Sequence, residues 1–203
     1  MKSQVGHAQV IKKGVCEADI LEAIGKVAGQ GIKQLKFYFM IGLPSETDED
    51  IEEIVNLTLR CKDILDRRQS GTRLTLNIAP FVPKASTPFQ WLPMAPLTSL
   101  NHRLSLLKNN LPPKGIKLKS ESPAWSQVQG VLARGDARVA EVLANMEEVS
   151  LAGWRRAVQK CHLDIDFYAQ RWDVSQKLPW GIIDSGIKTT YLESELNKAL
   201  AQD

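Results

Sequence analysis

Residues 35–50 read LKFYFMIGLPSETDED, and this succession of residue types predicts a strand followed by a tight turn. The first seven residues are apolar or aromatic except for Lys36, and they are too few for a typical helix. Such a run favours a strand that is buried on both faces. Gly42 then frees the backbone and Pro44 fixes one of its dihedrals, so the chain turns sharply after the strand.

A capped helix is predicted to follow this turn. Thr47, with Asp50 three residues later, has the form of an N-cap residue and its acidic capping-box partner. An earlier helix is predicted at residues 17–28, and residues 73–79 alternate between apolar and polar side chains as a strand does. A strand, a helix and a second strand in this order favour a right-handed βαβ unit with parallel strands.

The rest of the chain predicts a short third strand and several helices. Residues 96–111 repeat leucine at helical spacing, and residues 116–120 alternate as an edge strand does. On that strand, Lys117 and Lys119 either guard the edge against pairing or meet an anionic substrate. Further helices are predicted at residues 123–134, 137–145 and 151–161. The predicted fold class is therefore α/β, with two or three strands followed by a mainly helical C-terminal part.

Composition and charge exclude several classes of protein. The 203 residues are 43% hydrophobic, which suffices for one domain with a sizeable core, or for one domain and an appendage. The net charge of +3 demands no broad polyanion-binding surface, so nucleic acid is unsupported as a partner. No apolar run reaches the roughly 18 residues that span a bilayer, and no signal-peptide core is present. We expect a soluble, cytoplasmic protein with no membrane contact.

Cysteine and histidine are few and scattered, so no metal site is predicted. Cys16, Cys61 and Cys161 are odd in number and far apart, which argues against a disulfide framework and favours a reducing compartment. His162 follows Cys161 directly, but adjacent side chains on a helix diverge and do not form a ligand pair.

The turn at residues 42–46 is the first candidate binding site, because α/β folds place their ligands at the carboxyl ends of parallel strands. Its sequence IGLPSET resembles a turn of radical S-adenosylmethionine (SAM) enzymes of the methylthiotransferase and Elongator-like kind. In that family the strand and the turn pack against the adenosyl part of the cofactor. The resemblance therefore implies that Gly42, Leu43, Pro44 and Glu46 line a SAM site.

A second resemblance is more specific. Residues 74–91, LTLNIAPFVPKASTPFQW, look like the last barrel strand and exit segment of radical SAM proteins that carry a B12-binding-type domain upstream. The resemblance implies that Asn77 and Phe81 join the wall of the SAM site. The alternatives are barrel filling or a solvent-facing position for Asn77, and plain core packing for Phe81. The matching residues of the exit segment are Phe81, Val82, Pro83, Lys84, Thr87, Pro88, Phe89, Gln90 and Trp91.

The likeness to this group continues near the C-terminus, where a Pro-Trp-x-x-Ile-Asp-x-Gly run precedes a final helix. Trp180, Asp184 and Gly186 are the matching residues. Asp184 is open to two interpretations, since an aspartate before Ser-Gly is either a turn former and helix cap or a catalytic acid.

The resemblance covers nearly the whole chain but implies only part of an enzyme. Radical SAM enzymes hold a [4Fe–4S] cluster through a Cys-x-x-x-Cys-x-x-Cys loop, which this sequence lacks, and its three cysteines are too dispersed to replace it. We expect residues 1–120 to be the C-terminal part of an incomplete TIM-type radical SAM barrel and residues 121–203 to be a helical appendage. Such a chain would supply the adenosine-side wall, be inactive alone, and bind neither SAM nor the cluster tightly.

Two classes of function remain open. In the first, the chain works with a cluster-bearing N-terminal half encoded elsewhere. In the second, it is a non-catalytic binding or scaffold module derived from a radical SAM barrel, and it pairs or self-associates through exposed strand edges. The substrate is not indicated, and the parent reaction is open between methylation, methylthiolation and a rearrangement.

Overall fold

The structure, a computed structural model, describes residues 16–201, and these divide into two compact units. Residues 16–80, 98–121 and 198–201 belong to the first unit, and residues 81–97 and 122–197 belong to the second. The predicted division falls after residue 120, next to the point where the helical part of the second unit begins. The loop at residues 81–97, which the prediction assigned to the barrel, clusters with the helical unit.

Three parallel strands form the sheet of the first unit, in the order β1-β2-β3. Tyr38 of β1 lies opposite Asn77 of β2, which in turn lies opposite Lys119 of β3. The parallel βαβ unit predicted from the sequence is therefore confirmed, and the fold class is α/β with an open sheet. The strands are β1 at Gln34–Ile41, β2 at Arg73–Pro80 and β3 at Lys117–Ser120.

The helices of the first unit begin and end close to the predicted residues. The start of α2 follows the predicted capping box, because the Thr47 N–H donates to Asp50 Oδ2 at 2.8 Å and the Thr47 hydroxyl lies 3.1 Å from the same oxygen. Apolar residues that recur at helical spacing along α2 are buried, among them Ile51, Ile54 and Leu65. The helices are α1 at Glu17–Ala28, α2 at Asp48–Arg67 and α3 at Leu97–Asn110, with a short 3₁₀ helix at Pro112–Lys114.

The two faces of the sheet differ in exposure. On one face the apolar side chains of the central strand are at most 1% exposed: Leu74, Leu76 and Ile78. On the other face Lys36, Tyr38 and Met40 of β1 are exposed, Tyr38 to 74%. The prediction that β1 is buried on both faces is therefore wrong. Successive strand residues alternate between faces, and the face that carries these three side chains is open to solvent along β1.

The second unit is helical in the part of the chain that the structure describes. It contains the loop at residues 81–97, helices α4 to α7 and most of α8. No helix within residues 16–201 is long and apolar enough to cross a membrane. The helices are α4 at Pro123–Arg134, α5 at Ala137–Ala144, α6 at Leu151–Lys160, α7 at Ile165–Ala169 and α8 at Thr189–Leu200.

Arg134, the last residue of α4, links three segments of this second unit. Its side chain is fully buried, and its guanidinium donates to the carbonyl oxygens of Tyr168 at 2.8 Å, Leu92 at 2.6 Å and Gln170 at 2.7 Å. A longer bond of 3.2 Å reaches the Gln90 carbonyl. Burial lowers the pKa of Arg134 to about 10, so the group stays charged at neutral pH. These bonds satisfy carbonyl groups of the loop at residues 81–97, of the last turn of α7 and of the residue that follows α7.

We predict that Arg134→Met lowers the free energy of unfolding by roughly 3 kcal/mol or more. The methionine fills similar space but leaves several buried carbonyl oxygens without a donor. Urea unfolding followed by circular dichroism measures this change. The control is Arg155→Met on the exposed side of α6, for which we expect a change within about 0.5 kcal/mol. Equal effects of the two substitutions would contradict this role of Arg134.

Candidate functional site

The turn at residues 42–46 joins the carboxyl end of β1 to α2 and is held by its own hydrogen bonds. Gly42 has a φ of +82° and Ser45 a φ of +60°, so both lie in the left-handed region. Glycine adopts this conformation freely, whereas serine does so at a cost of about 1 kcal/mol. The Glu46 N–H donates to the Leu43 carbonyl at 3.2 Å, and the Gly42 N–H donates to Glu46 Oε2 at 2.5 Å. The Glu46 carboxylate therefore folds back over the turn.

An ion pair with Arg103 of α3 holds this carboxylate in place. Arg103 Nη1 donates to Glu46 Oε2 at 2.5 Å, and the second terminal nitrogen donates to the Glu46 carbonyl oxygen. The side chains of Glu46 and Arg103 are only 1% and 12% exposed. Through this pair the turn after β1 is tied to α3, which follows β2 in the chain.

Sequence reasoning missed Arg103. The signal was its position on α3, three residues after Leu100 and directly before Leu104, both of which belong to the buried stripe of that helix. A charge beside such a stripe requires a partner. Several carboxylates of the first unit could be that partner, and only the folded structure shows that it is Glu46.

A second, more exposed pair lies beside the first. His102 Nε2 is 3.1 Å from Asp48 Oδ2, and Arg103 Nε is 3.6 Å from Asp48 Oδ1. Asp48 is the first residue of α2, where a carboxylate also interacts favourably with the helix dipole. Asp48 at the start of α2 thus lies beside nitrogen atoms of two α3 side chains, His102 and Arg103.

The Glu46 carboxyl has a perturbed pKa. Burial raises the pKa to about 7, against the opposing effects of the Gly42 N–H and the Arg103 guanidinium, and Asp50 adds to the rise. The second oxygen, Oε1, is buried and has no hydrogen-bond partner within residues 16–201. An oxygen that loses its hydration without a new partner favours the neutral form, so burial outweighs the ion pair.

The structure brings together four of the six residues predicted to line a SAM site, because Gly42, Leu43, Pro44 and Glu46 form this one turn. Asn77 lies on the adjacent strand β2, on the same face as Tyr38, and its amide donates to the Phe37 carbonyl at 3.4 Å. Five of the six predicted residues therefore belong to the first unit.

Phe81, the sixth residue, belongs to the second unit. It is 7% exposed and packs edge-to-face on Phe89, with ring centroids 5.8 Å apart, which is the geometry of core packing. In the same unit, the Trp180 indole N–H donates to Gln90 Oε1 at 2.7 Å. Asp184 Oδ1 accepts from the Gly186 N–H at 2.8 Å, which is the geometry of the predicted turn former.

The cysteines of the described chain lie in unlike surroundings. Cys16 is exposed, Cys161 is half-buried, and Cys61 is buried in α2, where burial raises its thiol pKa to about 11. Within residues 16–201 no group of three or more histidine, cysteine, aspartate or glutamate side chains has the arrangement of a metal site.

Comparisons with known proteins add one relative. An uncharacterized protein of Methanocaldococcus jannaschii is 33% identical over 135 residues, which is 66% of this chain and 29% of that protein. The chain therefore spans less than a third of the length of this relative. No family model matches the chain, and no solved structure gives a significant match.

We predict that the wild-type protein loses stability relative to Glu46→Gln as the pH rises from about 5 to 8. A carboxyl whose pKa is higher in the folded than in the unfolded state stabilises the fold when protonated, and this contribution is lost as the pH passes the folded pKa. Glutamine keeps the shape but does not titrate. The expected loss is roughly 1–3 kcal/mol, measured by urea unfolding at several pH values.

Glu49→Gln is the control for this prediction, because Glu49 lies three residues further on at the exposed start of α2. Interactions with Thr47 and with backbone hold the pKa of Glu49 below its usual range, so it titrates below the tested window. If the difference in free energy of unfolding between wild type and Glu46→Gln stays constant from pH 5 to pH 8, the raised pKa of Glu46 is contradicted.

Proposed function

We propose that this chain is the C-terminal portion of a radical SAM enzyme and supplies the adenosine-side wall of the SAM site. The observation that carries the proposal is the parallel pairing of β1 with β2. Neighbouring parallel strands bring the turn that resembles the family and the strand with Asn77 to one edge of the sheet. In α/β folds this edge, at the carboxyl ends of the strands, is where ligands bind.

The uncovered sheet face supports the further proposal that the first unit is an incomplete TIM-type barrel. In such a barrel the apolar face packs against outer helices and the other face lines the interior. Here the apolar side chains of β2 are buried, whereas β1 presents Lys36, Tyr38 and Met40 to solvent. The helical unit would then be the C-terminal appendage of the same enzyme.

Within the proposed wall the six residues have different tasks. Glu46 is buried and bonded to Gly42 and Arg103, so it holds the turn in shape. The backbone of Gly42, Leu43 and Pro44 would then contact the nucleoside. Asn77 offers its amide from the adjacent strand. Phe81 belongs to the second unit, and only the resemblance implies a role for it in the wall.

The cluster would come from outside this sequence. A [4Fe–4S] cluster requires three thiolates in a compact loop, and the buried, fully protonated Cys61 does not fit that requirement. A cluster-bearing N-terminal half is therefore the proposed partner, and in the parent enzyme its cluster would supply the electron that cleaves SAM. The chain alone would be inactive, and the methionyl end of SAM would have no anchor on it.

A non-catalytic scaffold is the second candidate function, and the open edges of the sheet favour it. Within residues 16–201, β1 and β3 each have a neighbouring strand on one side only, so unpaired backbone groups on the other side can pair with a further strand. Self-association through these edges requires neither SAM nor a cluster.

The decisive experiment begins with the DNA upstream of this coding sequence. We expect it to encode, in frame or nearby, a segment with the Cys-x-x-x-Cys-x-x-Cys loop. When that segment and this chain are co-expressed and reconstituted with iron and sulfide without oxygen, the complex should bind SAM and cleave it on reduction. Calorimetry with this chain alone should show weak SAM binding or none. Stoichiometric iron and sulfide in the chain alone would contradict the proposal.

In the reconstituted complex we predict that Asn77→Ala weakens SAM binding about fivefold to tenfold, because one hydrogen-bond donor is lost from the wall. Asn109→Ala, on the exposed end of α3, is the matched control and should leave SAM affinity unchanged. A complex that binds SAM equally well with and without the Asn77 amide would exclude Asn77 from the site. A complex that neither binds nor cleaves SAM would favour the scaffold.

A further inference from the structure

The uncovered face of the sheet carries four basic side chains, one or two from each strand. In the register of the sheet, Lys36 lies opposite Thr75, and Thr75 lies opposite Lys117. Lys119 is two residues further along β3, and Arg73 is two residues before Thr75 on β2, so all of them are on the same face. We call Lys36, Arg73, Lys117 and Lys119 the cationic face.

These four side chains are close enough to share one small ligand. Adjacent strands lie about 4.8 Å apart, so Lys36 and Lys117 are separated by about 10 Å across the sheet. Lys117 and Lys119 are about 6.6 Å apart along their strand. All four residues are exposed, and lysine and arginine stems are long and flexible, so their charged ends can converge above Thr75, which is itself buried and accepts a hydrogen bond from Gln34 Nε2 at 3.1 Å.

The cationic face also lacks internal neutralisation. Within residues 16–201, none of its four side chains forms an ion pair or a hydrogen bond, whereas Arg60, Lys62 and Arg67 of α2 each pair with a carboxylate. Glu121, the residue after β3, is the nearest acidic residue in the alternation of that strand, and it leaves the face with a net charge of about +3. Like charges left side by side in this way are balanced most simply by a ligand of opposite charge.

We infer that the cationic face binds the phosphate groups of a small ligand, with a diphosphate as the smallest group that several of these cations can contact together. Phosphate oxygens accept several charge-assisted hydrogen bonds, and arginine and lysine are their usual partners. Tyr38 is 74% exposed, and it lies in line with Asn77 and Lys119 across the three strands. Its side chain supplies a hydroxyl group and an aromatic surface beside the cations.

In the proposed enzyme this face lines the barrel interior, so the inference assigns a phosphorylated substrate to it; that assignment rests on the proposed function. Binding of phosphate to the cationic face does not depend on the proposed function. It requires neither SAM nor a cluster, and it is measurable on the chain as it stands. Failure of phosphate binding and failure of SAM binding in the reconstituted complex are therefore separate results.

The test is calorimetric titration of the full chain with sodium pyrophosphate and, separately, with ADP at low ionic strength. We expect both to bind, and to bind less tightly as sodium chloride is added. The variant Lys117→Ala/Lys119→Ala should weaken both about fivefold to tenfold, since each exposed charge contributes modestly. The control Lys108→Ala/Lys114→Ala removes the same charge from exposed positions outside the strands and should leave affinity unchanged.

The two ligands distinguish the sources of phosphate. Tighter binding of ADP that is lost in Tyr38→Ala assigns an organic phosphate ester, and equal binding that is insensitive to Tyr38 assigns a free polyphosphate. Absence of binding, or equal loss in the two lysine pairs, overturns the inference. It is also overturned if Lys117→Ala/Lys119→Ala self-associates with undiminished phosphate affinity, because the lysines would then act as edge guards alone.

Discussion

The Glu46 carboxylate is the point on which the local structure of the first unit depends. It accepts the Gly42 N–H within its own turn and the Arg103 guanidinium from α3, so one side chain joins the end of β1 to a helix more than fifty residues away. Both partners are largely buried, which makes the pair sensitive to the loss of either member. The carboxylate is therefore held inside the turn, where it fixes the conformation of the backbone at the carboxyl end of the strand.

A second constraint is the alternation of side chains in the sheet. The same strands bury Leu74, Leu76 and Ile78 on one face and present Lys36 and Tyr38 on the other. This arrangement provides a rigid backbone beneath an uncovered polar surface, which suits a barrel interior or a ligand-binding face. The proposed SAM site centres on the turn at the strand ends and the proposed phosphate site on the middle of the face, and the two adjoin at the row of Tyr38, Asn77 and Lys119.

Several features followed from short stretches of sequence. The capping box of Thr47 and Asp50 and the parallel pairing of β1 with β2 were predicted and are present. The edge strand predicted at residues 116–120 is present at residues 117–120. The predicted turn residues 42–46 are contiguous, so no tertiary information was needed to bring them together. The burial of β1 was predicted wrongly. An apolar run indicates that a strand favours burial, but it does not show which other residues pack against the strand.

The sequence by itself determined the order and type of the elements, since hydrophobic period, caps and turn residues act over a few positions along the chain. Only the tertiary structure decided that Arg103 donates to Glu46 and that Arg134 donates to four carbonyl groups of the second unit. It also decided that Lys36 and Lys117 lie on the same face of the sheet. The partners in these interactions are separated by 34 to 57 positions in the hydrogen-bonded cases. Which residues become partners depends on how helices and strands pack against each other, and a local sequence pattern does not contain that information.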